Sequence, residues 1–299
     1  MDSSTSTRTG TTATSTYTGT TATTTGTAPH ADTTGPHLTD PDAVPPRLTR
    51  VTFHGPLSEA RADRIVRRAA EPLVRAGGGT VLDLGSGWGE TLLRILEAAP
   101  GSTGIGVDLN EEDLARGRAS AGARGLGERV EFIAESATDT ARGPADVVLC
   151  LGSAHALCPA DAPPPYSADA LRVLRGLVAP GGRVVLGEGF WQRTPTAADL
   201  AALWPDARAD EHLDLGGLAE AAVAAGFRPL WVETASEEEW EEFESAYLAD
   251  TEEWLASHPD HPRAAELRER TDRHRAGFLR GYRRLLGFAY LTLVPVATD

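Results

Sequence analysis

The residues with the clearest chemical pattern lie between positions 81 and 90, where an apolar run leads into alternate glycines. The segment reads Val81-Leu-Asp83-Leu-Gly85-Ser86-Gly87-Trp-Gly89-Glu90. Glycines at these positions let the backbone pass close to a ligand, because no Cβ atoms intervene. A helix that begins directly afterwards would present unpaired N–H donors to the same ligand. The segment therefore predicts a ligand-binding loop between a strand and a helix.

A second acidic residue agrees with a nucleotide-like ligand. The next apolar run ends in Val107-Asp108-Leu109-Asn110, and an acid about twenty residues after the loop can accept hydrogen bonds from both ribose hydroxyls. The glycine spacing is GxGxG, whereas dinucleotide sites use GxGxxG. This difference disfavours a nicotinamide cofactor. The plainer alternative is that the glycines only shape a tight turn and that Asp108 is an ordinary strand-end acid.

Seven short apolar runs recur along the chain and are separated by segments of helical length. They lie at residues 80–84, 104–107, 130–134, 145–151, 183–186, 228–233 and 288–296. Strands that alternate with helices predict an α/β fold, here a doubly wound, mostly parallel seven-stranded sheet with helices on both faces. Ligands of such sheets bind outside the carboxyl ends of the strands. Asp83 and Asp108 both lie near strand ends of this kind.

The N-terminal part of the chain differs in composition from the rest. Residues 1–46 are dominated by Thr, Ser, Gly and Ala, so they cannot bury enough surface to offset the entropy of ordering and are predicted to be disordered. Residues 47–299 are predicted to form one domain. Its first helix spans 59–75, with Ser58 as the N-cap, and either kinks or ends just before Pro72.

A long interval separates the last two predicted strands and predicts two antiparallel helices at 236–256 and 264–286. Aromatic side chains recur there at helical spacing, among them Trp240, Tyr247, His274 and Tyr282. Because the sixth strand runs parallel, the insertion 236–287 begins at the ligand edge. It is predicted either to cover the substrate as a lid, with these side chains facing it, or to pack on the flank or in a dimer contact. The charged faces favour a salt-bridged helix pair over a charged ligand site.

These motifs, taken in order, resemble the class I S-adenosylmethionine-dependent methyltransferases over most of residues 80–190. Besides the glycine loop and Asp108, three later segments carry the resemblance, namely Val130-Glu-Phe-Ile-Ala-Glu135, Asp146-Val-Val-Leu-Cys-Leu151 and Ala179-Pro-Gly-Gly-Arg-Val-Val-Leu-Gly-Glu188. The resemblance implies the Rossmann-like methyltransferase fold. A short hairpin is usual between the last two strands of this family, so the helical insertion predicted there is a departure from it. It also implies S-adenosyl-L-methionine as the cofactor.

The resemblance further implies a role for each matching residue. Asp83, Gly85, Ser86, Gly87 and Gly89 would hold the methionine part; Asp108, with Leu109 and Asn110, the ribose; Glu135, Ser136 and Ala137 the adenine; and Leu151, Gly152 and Ser153 the pocket near the methionine end. The family often has Asp where Ser136 stands. Glu135 or Ser136 is therefore expected to accept from the adenine amino group.

Two residues are candidates for catalysis. Methyl transfer from a sulfonium needs mainly proximity and alignment, and a general base only if the acceptor carries a proton. His155 follows the fourth strand, and Glu188 ends the fifth-strand motif, so both are expected near the donor methyl. His155 is the better base because its ordinary pKa is near neutrality. Alternatively, His155 bonds a loop carbonyl and Glu188 orients the substrate or caps a turn.

Several other side chains are candidates for substrate contact. Trp191, Tyr166 and Trp204 lie on segments that leave the same edge of the sheet. They are expected either to stack on the substrate or to pack in the core. His54, which precedes the first helix, is a weaker candidate.

Composition narrows the class of function. The net charge of −15 repels phosphate backbones and anionic membranes, so neither nucleic acid nor membrane is an expected partner. Cys150 and Cys158 form no CxxC pair, and no metal site is expected. Without a bilayer-length apolar run or a signal peptide pattern, a cytoplasmic location is expected.

The preferred prediction is a methyltransferase, monomeric or homodimeric, that acts on O, N, S or C of a small-molecule metabolite. Two alternatives stay open at this point. One is an NAD(P)-dependent oxidoreductase, and the other is a non-catalytic module that binds an adenosyl group.

Overall fold

The computed structural model describes residues 44–138, 140–159 and 161–297. Most of the predicted disordered tail, residues 1–43, lies outside the described residues. The strands are β1 (Gly79–Leu84), β2 (Ser102–Asp108), β3 (Val130–Ala134), β4 (Ala145–Leu151), β5 (Val178–Trp191), β6 (Phe227–Thr234) and β7 (Leu286–Pro295). The helices are α1 (Glu59–Ala76), α2 (Glu90–Ala98), α3 (Glu111–Ala123), α4 (Ser167–Leu177), α5 (Ala197–Ala201), α6 (Leu215–Ala224), α7 (Glu237–Ser257) and α8 (Ala264–Ala276).

The seven strands form one sheet in the order β3-β2-β1-β4-β5-β7-β6. Strand β7 is antiparallel to both of its neighbours, and the other pairings are parallel. The doubly wound, mostly parallel sheet is therefore confirmed. Side chains alternate along each strand, so the sheet has two apolar faces. Leu82, Leu84 and Leu186 pack toward α4 and α6, whereas Val81 and Val185 pack toward α1, α2 and α3.

Helix α1 begins as the sequence predicts, since the Ser58 side chain accepts from the Arg61 N–H. The alternative in which the helix ends before Pro72 is wrong, because α1 continues through the proline to Ala76. Ala69 and Leu73 are buried on either side of the proline. Burial of apolar side chains on both turns offsets the one backbone hydrogen bond that proline cannot make.

The late helices form with altered bounds. A capping box at Ser236 and Glu239 starts α7, while the second helix is α-helical only to Ala276 and continues as a π-helix, Gly277–Tyr282. Strand β7 then begins at Leu286. Among the described residues, no helix is long and apolar enough to cross a membrane.

Candidate cofactor and substrate site

The glycine-rich loop is tied to the end of β2 by backbone and side-chain hydrogen bonds. The N–H groups of Gly85 and Ser86 both donate to the Val107 carbonyl at 2.9 Å. The Asp108 carboxylate accepts from Gly87 N at 2.8 Å and from Asn110 N at 2.9 Å. The two acidic motifs that the sequence singles out therefore meet at the carboxyl edge of the sheet, and Asp108 is held in one orientation.

Gly85 is required by packing within the protein. Its φ is +70°, and a Cβ added to it would lie 2.4 Å from the Ser153 Cβ. The Ser153 hydroxyl donates to the Leu84 carbonyl at 2.5 Å. Because Gly85 has no side chain, the loop after β4 can approach the loop after β1. This close approach brings the predicted residues Leu151, Gly152 and Ser153 next to the glycine loop.

Asp83 is a buried acid near the end of β1. Its side chain is 3% exposed, and none of the described residues donates a hydrogen bond to it. Burial, followed by the nearby charge of Asp108, raises the pKa of Asp83 to about 7. A carboxylate kept this dry is stabilised by a cation placed against it. Asp83 therefore fits a ligand that brings a positively charged group.

A cavity with about 500 Å³ of empty space opens beside Asp83, Gly85 and Ser86. Its other walls are mostly apolar and aromatic and come from the segment before α1, from Trp88 and from two strand ends; they include Phe53, His54, Leu57, Leu151, Phe288 and Tyr290. We call this space the cofactor cavity.

Residues 47–54, here called the strap, cross the glycine loop and supply one wall of the cofactor cavity. The Trp88 indole N–H donates to the Thr52 carbonyl at 2.9 Å. Arg116 donates to the carbonyls of Leu48 and Val51, each at 3.0 Å. These bonds attach the strap to the glycine loop and to α3.

Helix α7 holds the strap from its outer side. The Asp250 carboxylate accepts from both the backbone N–H and the hydroxyl of Thr49, each at 2.6 Å. Tyr247 packs against the small apolar cluster formed by Leu48, Val51 and Trp88. The insertion therefore reaches the cofactor cavity through the strap, and the predicted lid arrangement remains a proposal.

Comparison with known proteins identifies the family. A family model described as a methyltransferase domain matches residues 82–184. The Escherichia coli (strain K12) protein YjhP is 30% identical over 218 residues, which cover 72% of this chain and 83% of that protein. The chain belongs to the class I S-adenosylmethionine-dependent methyltransferases. The predicted family and its cofactor, S-adenosylmethionine, are thus confirmed.

Two solved structures superpose on most of this chain. A methyltransferase from Geobacter sulfurreducens, crystallised with S-adenosyl-L-homocysteine, superposes with a TM-score of 0.69 at 25% identity, covering 84% of this chain and 98% of its own. The X-ray structure of YjhP superposes with a TM-score of 0.68 at 26% identity and covers 84% of this chain and 100% of its own.

The residues expected at the adenine lie at the end of β3. The Glu135 carboxylate is paired with Arg142 at 2.5 Å, and this pairing lowers the pKa of Glu135. Ser136 is exposed, and its hydroxyl accepts from the Thr138 N–H at 3.2 Å. Ala137 is buried. The Glu135 carboxylate is paired with an arginine, whereas the Ser136 hydroxyl accepts only one backbone N–H among the described residues. Of the two residues predicted to contact adenine, Ser136 therefore has the acceptor that is less engaged within the protein.

The two predicted catalytic residues lie apart from the cofactor cavity. His155 is exposed in a 3-10 helix, Ala154–Leu157, and desolvation lowers its pKa. Leu186 and Glu188 lie two residues apart on β5, so the Glu188 side chain points to the same face of the sheet as Leu186, toward α4 and α6. Asp83 alternates with Leu82 and Leu84 on β1 and therefore points to the opposite face. One Glu188 carboxylate oxygen is buried and accepts no hydrogen bond from the described residues. Burial raises the pKa of Glu188 to about 7. Neither residue lines the cavity, so their catalytic roles remain predictions.

His54, the weaker candidate in the sequence, lines the cofactor cavity. Its ring lies 3.7 Å from the Trp88 ring in an edge-on contact. Desolvation by surrounding atoms lowers the pKa of His54 to about 4, against the opposing effect of Asp113. The imidazole is therefore neutral at physiological pH, and burial disfavours its protonated form.

The aromatic candidates on the segments after β4 and β5 take packing positions. Trp191 is buried, and its indole N–H donates to the Ala209 carbonyl at 2.9 Å. Trp204 donates to Glu211 at 3.1 Å. Tyr166 lies edge-on to His155, with 6.5 Å between ring centroids. None of the three lines the cofactor cavity, so their predicted substrate contacts gain no support from the geometry.

The aromatic candidates of the insertion form one polar cluster around a buried acid. Glu244, 3% exposed in its side chain, accepts from the Tyr282 hydroxyl at 2.7 Å and lies 2.7 Å from His274 Nε2. Tyr247 stacks on the His274 ring at 5.0 Å. Tyr247 and His274 thus hold α7 against α8, while Trp240 and Tyr282 line a second cavity.

Sequence reasoning missed the strap and the β7 residues that complete the cofactor cavity. Phe53, Phe288 and Tyr290 line it, yet each reads as an ordinary apolar position. Trp88 is the residue that could have indicated the strap from the sequence. A large aromatic side chain inside a glycine-rich loop must pack against residues outside that loop, and here those residues belong to the strap. The described residues include no group of three or more His, Cys, Asp or Glu side chains that could hold a metal ion.

Proposed function

We propose that this methyltransferase transfers the methyl group of S-adenosylmethionine to a small-molecule metabolite bound beside the cofactor cavity. The observation that supports the proposal best is the cavity itself. It joins cofactor-motif residues to apolar walls in about 500 Å³ of empty space and is closed on one side by the strap. The net charge of −15 argues against nucleic acid as the acceptor.

Each part of the cofactor has a matching group in the chain. Asp83 would face the ammonium of the methionine part, and Asp108 would accept from the ribose hydroxyls. Leu109, 74% exposed beside Asp108, would cover the adenine, with Ser136 as the acceptor for its amino group. When bound, the cofactor supplies a sulfonium methyl group that a nucleophile displaces in line.

The chain would contribute mainly alignment and water exclusion. Phe53, Leu57 and Phe288 surround the acceptor with apolar walls, which exclude competing water. If the accepting atom carries a proton, we assign its removal to His54, because His54 lines the cavity with a neutral imidazole. The lowered pKa makes His54 a weak base, so this role suits an acceptor whose proton is itself acidic. His155 is the second candidate for this role.

The cofactor part of the proposal is tested by calorimetric titration of S-adenosylmethionine, S-adenosylhomocysteine and NAD. Wild type is expected to bind both adenosyl compounds and not NAD. Asp108→Ala should weaken the binding at least about tenfold, because it removes a charged hydrogen-bond acceptor for the ligand. It also removes the acceptor of the Gly87 N–H. Asp161→Ala, which changes an exposed acid outside the site, is the matched control.

The acceptor part is tested with S-adenosylmethionine that carries a radioactive methyl group and a cell extract separated by size. Label in the small-molecule fraction supports the proposal. Label only in protein or nucleic acid would contradict it. Intact cofactor binding with no transfer to any fraction would favour the non-catalytic adenosyl-binding module, and preference for NAD would favour the oxidoreductase.

A further inference from the structure

A second cavity lies between the insertion and the sheet edge, at the ends of β5, β6 and β7. It contains about 360 Å³ of empty space, and we call it the insertion cavity. Three aromatic side chains, Trp240, Phe278 and Tyr282, line it together with the aliphatic side chains of Ala235 and Leu286. Walls of this kind suit a flat or ring-containing apolar molecule.

Two residues that line this cavity carry buried hydrogen-bond donors. Among the described residues, neither the indole N–H of Trp240 nor the Nε–H of Arg283 has an acceptor, and both residues line the insertion cavity. A buried donor left unpaired destabilises the folded chain. An oxygen of a ligand in this cavity would supply the acceptor that the described residues lack.

The charges at the rim of the insertion cavity limit the ligand further. Arg283 is already paired with Glu241, and Arg284 with Glu237. The two positive and two negative groups balance, so the rim offers no net charge to a phosphate group. A single carbonyl or carboxylate oxygen on an apolar ring matches both donors and walls.

The insertion cavity also lies next to the cofactor cavity on the same face of the sheet. Leu286 lines the former, and Phe288 and Tyr290 line the latter. Alternate residues of a strand share a face and lie about 7 Å apart. The Phe288 carbonyl accepts from Ala235 N at 2.8 Å, so one short stretch of β7 and the end of β6 separate the two spaces.

We infer that the insertion cavity binds the methyl acceptor, and that the acceptor is a ring-containing small molecule anchored by one carbonyl or carboxylate oxygen on Trp240 Nε1 and Arg283 Nε. This inference rests on the proposed function. In this arrangement α7 and the π-helix supply the walls that contact the ring, so the insertion takes part in selecting the acceptor.

The test is calorimetric titration of 2-naphthoate, 2-acetylnaphthalene and 2-naphthylmethylammonium into the full chain without cofactor. The first two carry the ring and an acceptor oxygen, whereas the third carries the ring and only donors. Wild type is expected to bind at least one of the first two and to bind the third at least about fivefold more weakly. Whichever oxygen compound binds more tightly identifies carboxylate or carbonyl as the anchored group.

Matched variants connect that binding to the two donors. Trp240→Phe keeps an aromatic ring but removes the N–H, and Arg283→Met removes Nε; each is expected to weaken the bound probe about fivefold. Trp231→Phe and Arg270→Met change exposed residues outside the cavity and should leave the affinity unchanged. Thermal melting identifies a variant that fails to fold, and the other variant then decides.

The inference is overturned if wild type binds neither oxygen compound at millimolar concentration, or if both donor variants bind them as tightly as wild type. Titration of S-adenosylhomocysteine into the same variants keeps this test separate from the proposed function. If a variant loses probe binding but still binds the cofactor, the result supports the inference about the insertion cavity and leaves the proposed function unchanged. If wild type does not bind the cofactor, the result contradicts the proposed function.

Discussion

The guanidinium of Arg116 lies 3.8 Å above the centre of the Trp88 ring. The same side chain donates to the backbone of the strap, while Trp88 donates to it from the glycine loop. One stacked pair therefore fixes the strap over the cofactor cavity. Cation–π contact between partly desolvated groups contributes roughly 0.5–2 kcal/mol, and the hydrogen bonds to the strap add to it.

Removing this clamp should loosen the strap and weaken cofactor binding. Arg116→Gln is expected to raise the dissociation constant of S-adenosylhomocysteine about tenfold. In the variant the strap must become ordered when the ligand binds, and the free energy of this ordering reduces the affinity. Trypsin should release a fragment that begins at Val51 faster from the variant. Arg172→Gln, which breaks only an exposed pair with Asp169, is the control. Equal affinity and equal cleavage rates in both variants would show that the strap is held without Arg116.

The buried Asp83 should make the ligand-free protein less stable as pH rises. Its folded-state pKa is about 7, whereas an unfolded Asp has a pKa of about 3.9. Between these values the unfolded chain loses a proton that the folded chain keeps, so stability falls through this window and stays reduced above it. Asp83→Asn is therefore expected to raise the free energy of unfolding by about 1–3 kcal/mol at pH 8 and by nothing at pH 3.5.

Urea unfolding at both pH values measures this difference. Asp161→Asn, at an exposed position, should show no gain at either pH. A gain for Asp83→Asn that is the same at pH 3.5 and pH 8 would mean that the carboxyl of Asp83 does not titrate in this range.

The same residue should release a proton when the cofactor binds. An ammonium group against Asp83 favours the charged carboxylate and lowers the pKa of Asp83. At pH 6, titration of S-adenosylhomocysteine into wild type in buffers of different ionisation enthalpy should show release of a large part of one proton. Asp83→Asn should show none from this source, and identical proton release in both proteins would remove Asp83 from the ammonium site.

Gly85 should tolerate no side chain, for two separable reasons. Gly85→Ala meets Ser153 at 2.4 Å in addition to the strain of a positive φ, whereas Gly181→Ala at φ +77° meets nothing within 4 Å. Gly181→Ala is expected to cost about 1–2 kcal/mol, and Gly85→Ala about 2 kcal/mol more because the loops must separate. Chemical unfolding of both variants checks this, and equal losses would show that the two loops separate easily.

Glu244 should be the main polar support of the insertion. Glu244→Ala removes the buried carboxylate that Tyr282 and His274 share, and we expect a loss of about 3 kcal/mol. Glu269→Ala breaks only the exposed pair with Arg273 and should cost less than about 0.5 kcal/mol. Thermal and chemical unfolding compare them, and similar losses would place the support of α7 and α8 elsewhere.

Several features followed directly from the sequence, because they depend on neighbouring residues. Buried parallel strands need apolar runs, and the runs at 80–84 and 145–151 accordingly lie within β1 and β4. The αL conformation of Gly85 and the strand-end position of Asp108 are equally local. The sheet and the cofactor loop were therefore predictable from patterns of a few residues.

Only the tertiary structure decided which side chains line the site. The strap meets α7 through Thr49 and Asp250, 201 positions apart in the chain, and no local pattern records such a contact. Strand alternation placed Glu188 on the face opposite Asp83, and burial gave Trp191 a packing role that its sequence position leaves open. The unpaired donors of Trp240 and Arg283 are likewise a property of the folded chain, because an unmet hydrogen bond exists only once the surrounding atoms are in place.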